Sequence, residues 1–118
     1  MVNVRLTGVS VENSKKSIID RIFGKKHDRW WASVALHLQD TDTHEDVSEW
    51  FYLIVCSEEY MKRPFKKGPA LDEKYLIIQQ HLNLDAVKES ARERLNRIEA
   101  KDWEEFYKTM ELSFLHDS

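Results

Sequence analysis

The stretch WWASVALHLQDTDTHEDVSEWFYLIVC, residues 30–56, decides the fold because it joins two strand patterns through one polar connection. Its first segment is apolar on a single parity: Trp30, Ala32, Val34, Leu36 and Leu38. This period of two predicts a strand with one buried face. The last segment, WFYLIVC, is apolar on both parities, which predicts an inner strand covered on both sides. We expect the two strands to pair as a hairpin.

Two further elements are predicted on the N-terminal side of this hairpin. Residues 2–11 alternate between apolar and polar side chains and change parity at Gly8, which predicts a first strand with a bulge at the glycine. Residues 14–23 carry isoleucines and a phenylalanine at helical spacing, and Gly24 follows them. A short helix that ends at this glycine is therefore expected.

One strand and two helices are predicted on the C-terminal side. Residues 74–82 are typical of a fourth strand. Residues 85–100 have one apolar stripe at helical spacing, and Asp85 is expected to cap that helix. Asp102 is expected to cap a last helix, in which aromatic and apolar residues recur at steps of three and four over residues 103–114.

The order of these elements predicts the α+β class. Strands precede helices rather than alternating with them, which favours an antiparallel sheet of about four strands, with a short N-terminal helix and two C-terminal helices packed on one face. The 118 residues suit a single domain, 1–118, and 42% apolar with 33% charged residues is an ordinary globular composition. An ordered domain is expected almost from end to end.

Cellular location is indicated by what the sequence lacks. The start, MVNVRLTGVS, has neither the basic nor the long apolar region of a signal peptide, and no apolar run approaches the roughly 20 residues that span a bilayer. The single Cys56 cannot form an internal disulfide and lies in an apolar run, which predicts a buried thiol in a reducing compartment. We therefore expect a soluble, cytoplasmic protein.

The charges are unevenly distributed although the net charge is only -3. The hairpin connection contains five acids without a lysine or arginine between them, here called the acidic loop: Asp40, Asp42, Glu45, Asp46 and Glu49. Basic residues gather in stretches 15–29 and 62–67. Such runs are often only solvated, but an acidic loop also attracts basic partners, whereas the basic stretches raise the alternative of a small nucleic-acid-binding module.

Motifs for catalysis, metal binding or cofactors are missing from the sequence. The five histidines are not spaced as HxxxH or HxH: His27, His37, His44, His81 and His116. Cys56 has no glycine-bearing turn beside it, and the three glycines are isolated, so neither a nucleophile elbow nor a phosphate loop is indicated. We expect no metal and no cofactor. A small enzyme built around His37 and His81 would require their strands to be neighbours.

The four tryptophans divide into two groups by their phase. Trp30, Trp50 and Trp103 are in phase with buried stripes, which favours core packing over ligand contact. Trp31 is on the polar parity of its strand. An exposed tryptophan is a common interface anchor, although neighbouring lysine or arginine stems cover such a ring equally well.

Three segments resemble a known family. The strand DRWWASVALHL (residues 28–38), the strand and turn WFYLIVCSEEYM (50–61) and the segment KYLIIQQHLNLDAVKESARERLNRIEAKDWEEFYKTMEL (74–112) are similar to the bacterial polymorphic-toxin immunity family numbered eight. The resemblance covers roughly the last three quarters of the chain. It departs where the family often has proline after the Ser/Thr, since Ser57 precedes two glutamates, and where the tail LSFLHDS lacks a second Trp-Glu pair.

The resemblance implies a non-catalytic inhibitor in contact-dependent growth inhibition, which binds the C-terminal domain of a cognate toxin and blocks its active site. Family toxins are frequently nucleases with basic clefts, which an acidic, flexible loop would fit. We therefore predict that the acidic loop contacts the toxin, with Trp31 or Tyr60 as apolar anchors. These positions follow from the charge argument, and neither membrane nor nucleic acid is expected as a partner.

Overall fold

The computed structural model describes residues 1–16, 30–61 and 73–117. Its centre is an antiparallel pair, β2 (Trp30–Asp40) and β3 (Trp50–Cys56), with Trp31 opposite Cys56 and Leu36 opposite Phe51. The hairpin predicted from residues 30–56 is confirmed. β3 is also an inner strand, as its apolar composition indicated, because other strands pair along its second edge.

The first strand, β1 (Val4–Lys16), pairs antiparallel with β2 over its whole length. The ladder shifts register at Gly8, so the predicted bulge is confirmed. The helix predicted for residues 14–23 is wrong for residues 14–16, which continue the strand, and residues 17–23 lie outside the described part of the chain. Pairing with the start of β2 satisfies the backbone groups of residues 14–16, which overrides the local helical spacing.

The sheet is mixed rather than purely antiparallel. The short strand β4 (Leu76–Ile78) runs parallel to the C-terminal half of β3. Parallel strands need a long crossover, and the described part of the connection between β3 and β4 includes helix α1 (Glu58–Met61) and a 3-10 turn (Glu73–Tyr75). This turn takes residues 74 and 75 of the strand predicted for residues 74–82, and residues 79–82 are not in a strand, so β4 is shorter than expected.

Two C-terminal helices follow, as predicted. Helix α2 (Leu84–Asn96) is capped by Asn83, whose side chain accepts a hydrogen bond from the amide three residues on. The predicted cap, Asp85, is wrong, since it lies in the first turn. Helix α3 (Trp103–Met110) is capped by Asp102, as expected from the sequence.

The chain ends in a strand that the sequence did not indicate. Helix α3 stops at Met110, and β5 (Leu115–Asp117) pairs antiparallel with the first half of β3. Three residues are too few to show a period of two. The tail therefore completes the second edge of β3, where β4 covers the other half.

Both C-terminal helices pack on one face of the sheet, as predicted. The buried cluster joins β1, β2 and β3 to these helices through large apolar residues: Leu6, Val34, Leu36, Leu38, Phe51, Leu53, Val55, Val87, Ala91, Leu95, Phe106, Met110 and Phe114. Cys56 is fully buried, as expected, with no exposed sulfur. The opposite side of the sheet is here called the outer face.

Candidate protein-binding site

The acidic loop forms a hydrogen-bonded turn at one end of the sheet. The Asp40 amide donates to the Glu45 carbonyl oxygen (2.9 Å), and the Asp40 side chain accepts from the Asp42 amide (2.9 Å). His44 has a φ of 62°, the left-handed conformation that closes the turn. The backbone of the loop is therefore tied within itself, in contrast to the flexible loop expected from the sequence.

A second set of hydrogen bonds attaches this turn to the N-terminus. Both the amide and the hydroxyl group of Thr41 donate to the Asn3 carbonyl oxygen, at 2.9 and 3.1 Å. Asp42, Glu45 and Asp46 remain exposed. The turn therefore holds three carboxylates together in water, and such a group of like charges attracts basic partners at long range.

Glu49 differs from the other acids of the loop because it is engaged inside the molecule. Its Oε2 lies 2.9 Å from His116 Nε2, while Glu111 Oε1 lies 2.7 Å from His116 Nδ1. The imidazole is 16% exposed and stacks on Phe51, with 4.7 Å between ring centres. Partial burial lowers the pKa of His116, but the bonds to both carboxylates outweigh it, so the pKa is raised overall.

Trp50 is the exposed tryptophan of the hairpin, with 44% of its surface accessible. The prediction that Trp50 lies in the core is wrong. Phe51 occupies the helix-covered side of β3, and since successive side chains of a strand point to opposite faces, Trp50 lies on the outer face. There its ring meets the His37 ring edge-on, at 5.9 Å between centres. The other two tryptophans predicted to be core residues, Trp30 and Trp103, do pack against the buried cluster.

The two anchors predicted from the sequence lie far from the acidic loop. Trp31 begins β2 and the loop follows its end, so the nine residue steps from Trp31 to Asp40 separate them by roughly 30 Å. Tyr60 is in α1 and only 5% exposed. The exposed acids of the loop and Trp50 therefore lie at one end of the β2–β3 pair. The half-buried Trp31 lies at the other end, and Tyr60 is buried in α1.

The comparison with protein families now decides the assignment. A family model described as immunity protein 8 matches residues 15–115. The chain belongs to the immunity protein 8 family. The match begins in β1 and ends in β5, so it covers more of the chain than the resemblance seen from residue 28 onward. No significant match was found among curated proteins or among solved structures.

The enzyme hypothesis finds no geometric support in this member of the immunity protein 8 family. β3 separates the strand of His37 from β4, which precedes His81, so the two histidines are not on neighbouring strands. Ser10 Oγ does lie 2.8 Å from His37 Nε2, but it donates to Glu12 Oε1 (3.1 Å). The carboxylate of Glu12 therefore accepts from the serine, whereas in a catalytic triad the carboxylate accepts a hydrogen bond from the imidazole.

The described part of the chain contains neither a cluster of metal-binding side chains nor a membrane-spanning helix. Within residues 1–16, 30–61 and 73–117, no group of three or more histidine, cysteine or acidic residues could hold a metal ion. No helix in the described part of the chain is long and apolar enough to cross a membrane. The basic stretches 15–29 and 62–67 lie outside the described part of the chain, except that residues 15 and 16 belong to β1.

Proposed function

We propose that this chain is an immunity protein that binds the C-terminal domain of a cognate bacterial toxin and neutralises it by covering its active site. The observation that carries the proposal is the family match over residues 15–115, since family membership supports an immunity role and implies a toxin as the partner. Neutralisation of this kind is stoichiometric binding and needs no catalytic group in the inhibitor. The protein acts as one domain in the cytoplasm of the producing cell, where an incoming toxin meets its target.

The acidic loop favours a nuclease as the toxin. A nuclease binds the phosphate backbone through lysine and arginine, so its cleft is positively charged. Asp42, Glu45 and Asp46 are exposed on a tied turn and match such a cleft in charge. Preorganised carboxylates raise the association rate through steering, and they do not lose the entropy of ordering a free loop on binding.

Charge reversal of the loop tests this assignment. The triple variant Asp42→Lys, Glu45→Lys, Asp46→Lys should bind a catalytically inactive form of the toxin domain encoded beside this gene at least about tenfold more weakly than the wild-type chain. The loss of affinity that salt causes in the wild-type chain should largely disappear in the variant, because lysines at these positions no longer attract a basic cleft. Titration calorimetry at low and at high salt measures both effects.

The matched control reverses three exposed acids on the helical side, Glu93, Glu99 and Glu104, and so changes the net charge by the same amount. It should bind nearly as the wild-type chain does. Equal affinity and equal salt dependence of the wild-type chain and the loop variant would show that the acidic loop is not the contact. Failure of the wild-type chain to bind or inhibit the toxin domain would remove the immunity function itself.

A further inference from the structure

Trp50 lies exposed on the outer face at the end of the sheet that carries the acidic loop. A large aromatic ring with 44% of its surface in water is unusual in a strand whose remaining residues are half-buried or buried. Tryptophan is enriched among residues that dominate binding energy at protein interfaces. This ring is therefore a candidate contact that family membership does not assign.

The surroundings of Trp50 hold its ring in place before any partner arrives. The His37 ring meets it edge-on, with an interplanar angle of 79°. His37 is in turn held by Ser10, whose Oγ lies 2.8 Å from His37 Nε2 and donates to Glu12 Oε1. Because the His37 ring already contacts the indole, binding a partner on the exposed part of the ring loses less side-chain entropy than binding on an uncontacted one.

The charge around Trp50 is mainly negative. Asp46 is bridged to Gln39 across the hairpin, and residues opposite each other in an antiparallel pair share a face, so Asp46 is on the outer face with Trp50. Glu12 is bonded to Ser10 on the same face. The nearby cation with a described side chain is Arg5, and both its Nε (2.8 Å) and Nη2 donate to Gln39.

We infer that Trp50 is the aromatic anchor of the toxin-docking surface and that an arginine-rich or lysine-rich segment of the toxin domain binds on its ring, next to Asp46. A guanidinium or ammonium group is attracted to the face of an indole ring and pairs at the same time with a neighbouring carboxylate. This inference rests on the proposed function and specifies the chemistry of the partner. It also extends the interface from the acidic loop onto the outer face.

The negative charge around Trp50 favours a basic protein surface over two other partners, a second copy of the chain and a nucleic acid. A second copy of the chain in a twofold dimer would bring the acids Asp46 and Glu12 of both copies into one interface, while Arg5 of each copy is already engaged by Gln39, so this contact gains less from charge than a basic partner does. A nucleic acid would bring phosphates to the same carboxylates. A basic protein surface is the partner that gains from both the ring and the acids.

Trp50→Ala tests the inference, with Leu112→Ala as the matched control. Leu112 is 67% exposed in the turn after α3 and is not on the outer face, so its truncation also removes an exposed apolar side chain. With the inactive toxin domain encoded beside this gene as the probe, Trp50→Ala should weaken binding by about tenfold or more, and Leu112→Ala by less than about twofold. Equal affinities of Trp50→Ala and the wild-type chain would overturn the inference.

A second variant tests whether Trp50→Ala weakens binding only because it unfolds the chain. Trp50→Phe keeps a flat ring on the outer face but has a weaker attraction for cations, so it should bind with an affinity between those of Trp50→Ala and the wild-type chain. Asp46→Asn should weaken binding less in the Trp50→Ala background than alone, because both residues contact the same cation. Additive effects would show that the two do not share a partner group and would overturn the inference.

The outcomes separate this inference from the proposed function. Toxin binding by the wild-type chain together with unchanged binding by Trp50→Ala removes Trp50 as the anchor and leaves the immunity function intact. Absence of binding by the wild-type chain contradicts both. A wild-type dimer in sedimentation that Trp50→Ala converts to a monomer would overturn the inference, since the outer face would then be a self-interface.

Discussion

His116 shows how a single residue connects the C-terminus to the acidic loop. Its two ring nitrogens lie within hydrogen-bond distance of Glu49 and Glu111, and its ring stacks on Phe51 of the core. One face of the imidazole thus packs on apolar surface while its edges contact carboxylates. A protonated ring is favoured there, because it donates to both acids at once.

This geometry predicts a pH-dependent contribution to stability. Since the pKa of His116 is raised in the folded state, its stabilisation is fully present below the unfolded value of about 6.5 and is lost as pH rises through the folded pKa. His116→Gln should therefore destabilise the protein more at pH 5.5 than at pH 8.5. Burial and the charge of Glu49 raise the pKa of Tyr107, so this phenol remains protonated throughout that range.

Urea unfolding of the wild-type chain and of His116→Gln across this pH range measures the effect. The control is His81→Gln, since His81 is exposed. Its free energy of unfolding should follow that of the wild-type chain at each pH. A constant difference between the wild-type chain and His116→Gln would contradict the predicted protonation of His116.

At the start of helix α2, the structure decides which of two suitable residues is the cap. Both Asn83 and Asp85 have side chains suited to a cap, and the sequence pattern favoured Asp85. In the structure Asn83 has an extended backbone and accepts from the Ala86 amide, and Gln79 exchanges two hydrogen bonds with its backbone. Asp85 lies two residues further on, in the first turn, where the helix dipole favours its negative charge.

Asn83→Ala should therefore cost about 1 kcal/mol in the free energy of unfolding, because one of the free N–H groups of the first turn loses its acceptor. Asp85→Ala is the control within the same element and should cost less, about 0.5 kcal/mol, through the dipole alone. Thermal and urea unfolding measure both variants. A larger cost for Asp85→Ala than for Asn83→Ala would show that the cap is misassigned.

At the scale of the whole molecule, the two faces of the sheet differ at the end that carries the acidic loop. The helix-covered face carries the buried cluster, in which Leu53 and Phe114 are fully buried. The outer face carries Trp50 and His37 and ends at the acidic loop. At this end of the sheet an exposed side chain such as Trp50 is therefore changeable without opening the buried cluster.

Leu53→Ala should test the core side of this division. Its truncation leaves a cavity in the buried cluster, which includes residues of both C-terminal helices, and should cost about 3 kcal/mol in the free energy of unfolding. Leu112→Ala, at an exposed position, should cost about 0.5 kcal/mol or less. At a temperature where the Leu53→Ala variant remains folded, its toxin affinity should be unchanged, and a loss of affinity in the folded variant would contradict the separation of the two faces.

Local patterns were sufficient for the elements whose signal lies within a few residues. The alternation in residues 30–56 predicted the hairpin, the parity change at Gly8 predicted the bulge, and Asp102 predicted the start of α3. The sequence also identified the acids of the loop as one group, because they are neighbours in the chain. In each case the deciding interaction is short-range or follows from the period of two.

Only the tertiary structure decided the features that depend on distant residues. The parallel pairing of β4, the strand β5 and the strand conformation of residues 14–16 all require partners far along the chain. The same holds for the candidate site: Trp50 is at the surface because Phe51 fills the helix-covered side, and Trp31 is remote because β2 is long. Composition and periodicity determine which residues are apolar or charged, but which of them meet is set by strand pairing, which no local pattern contains.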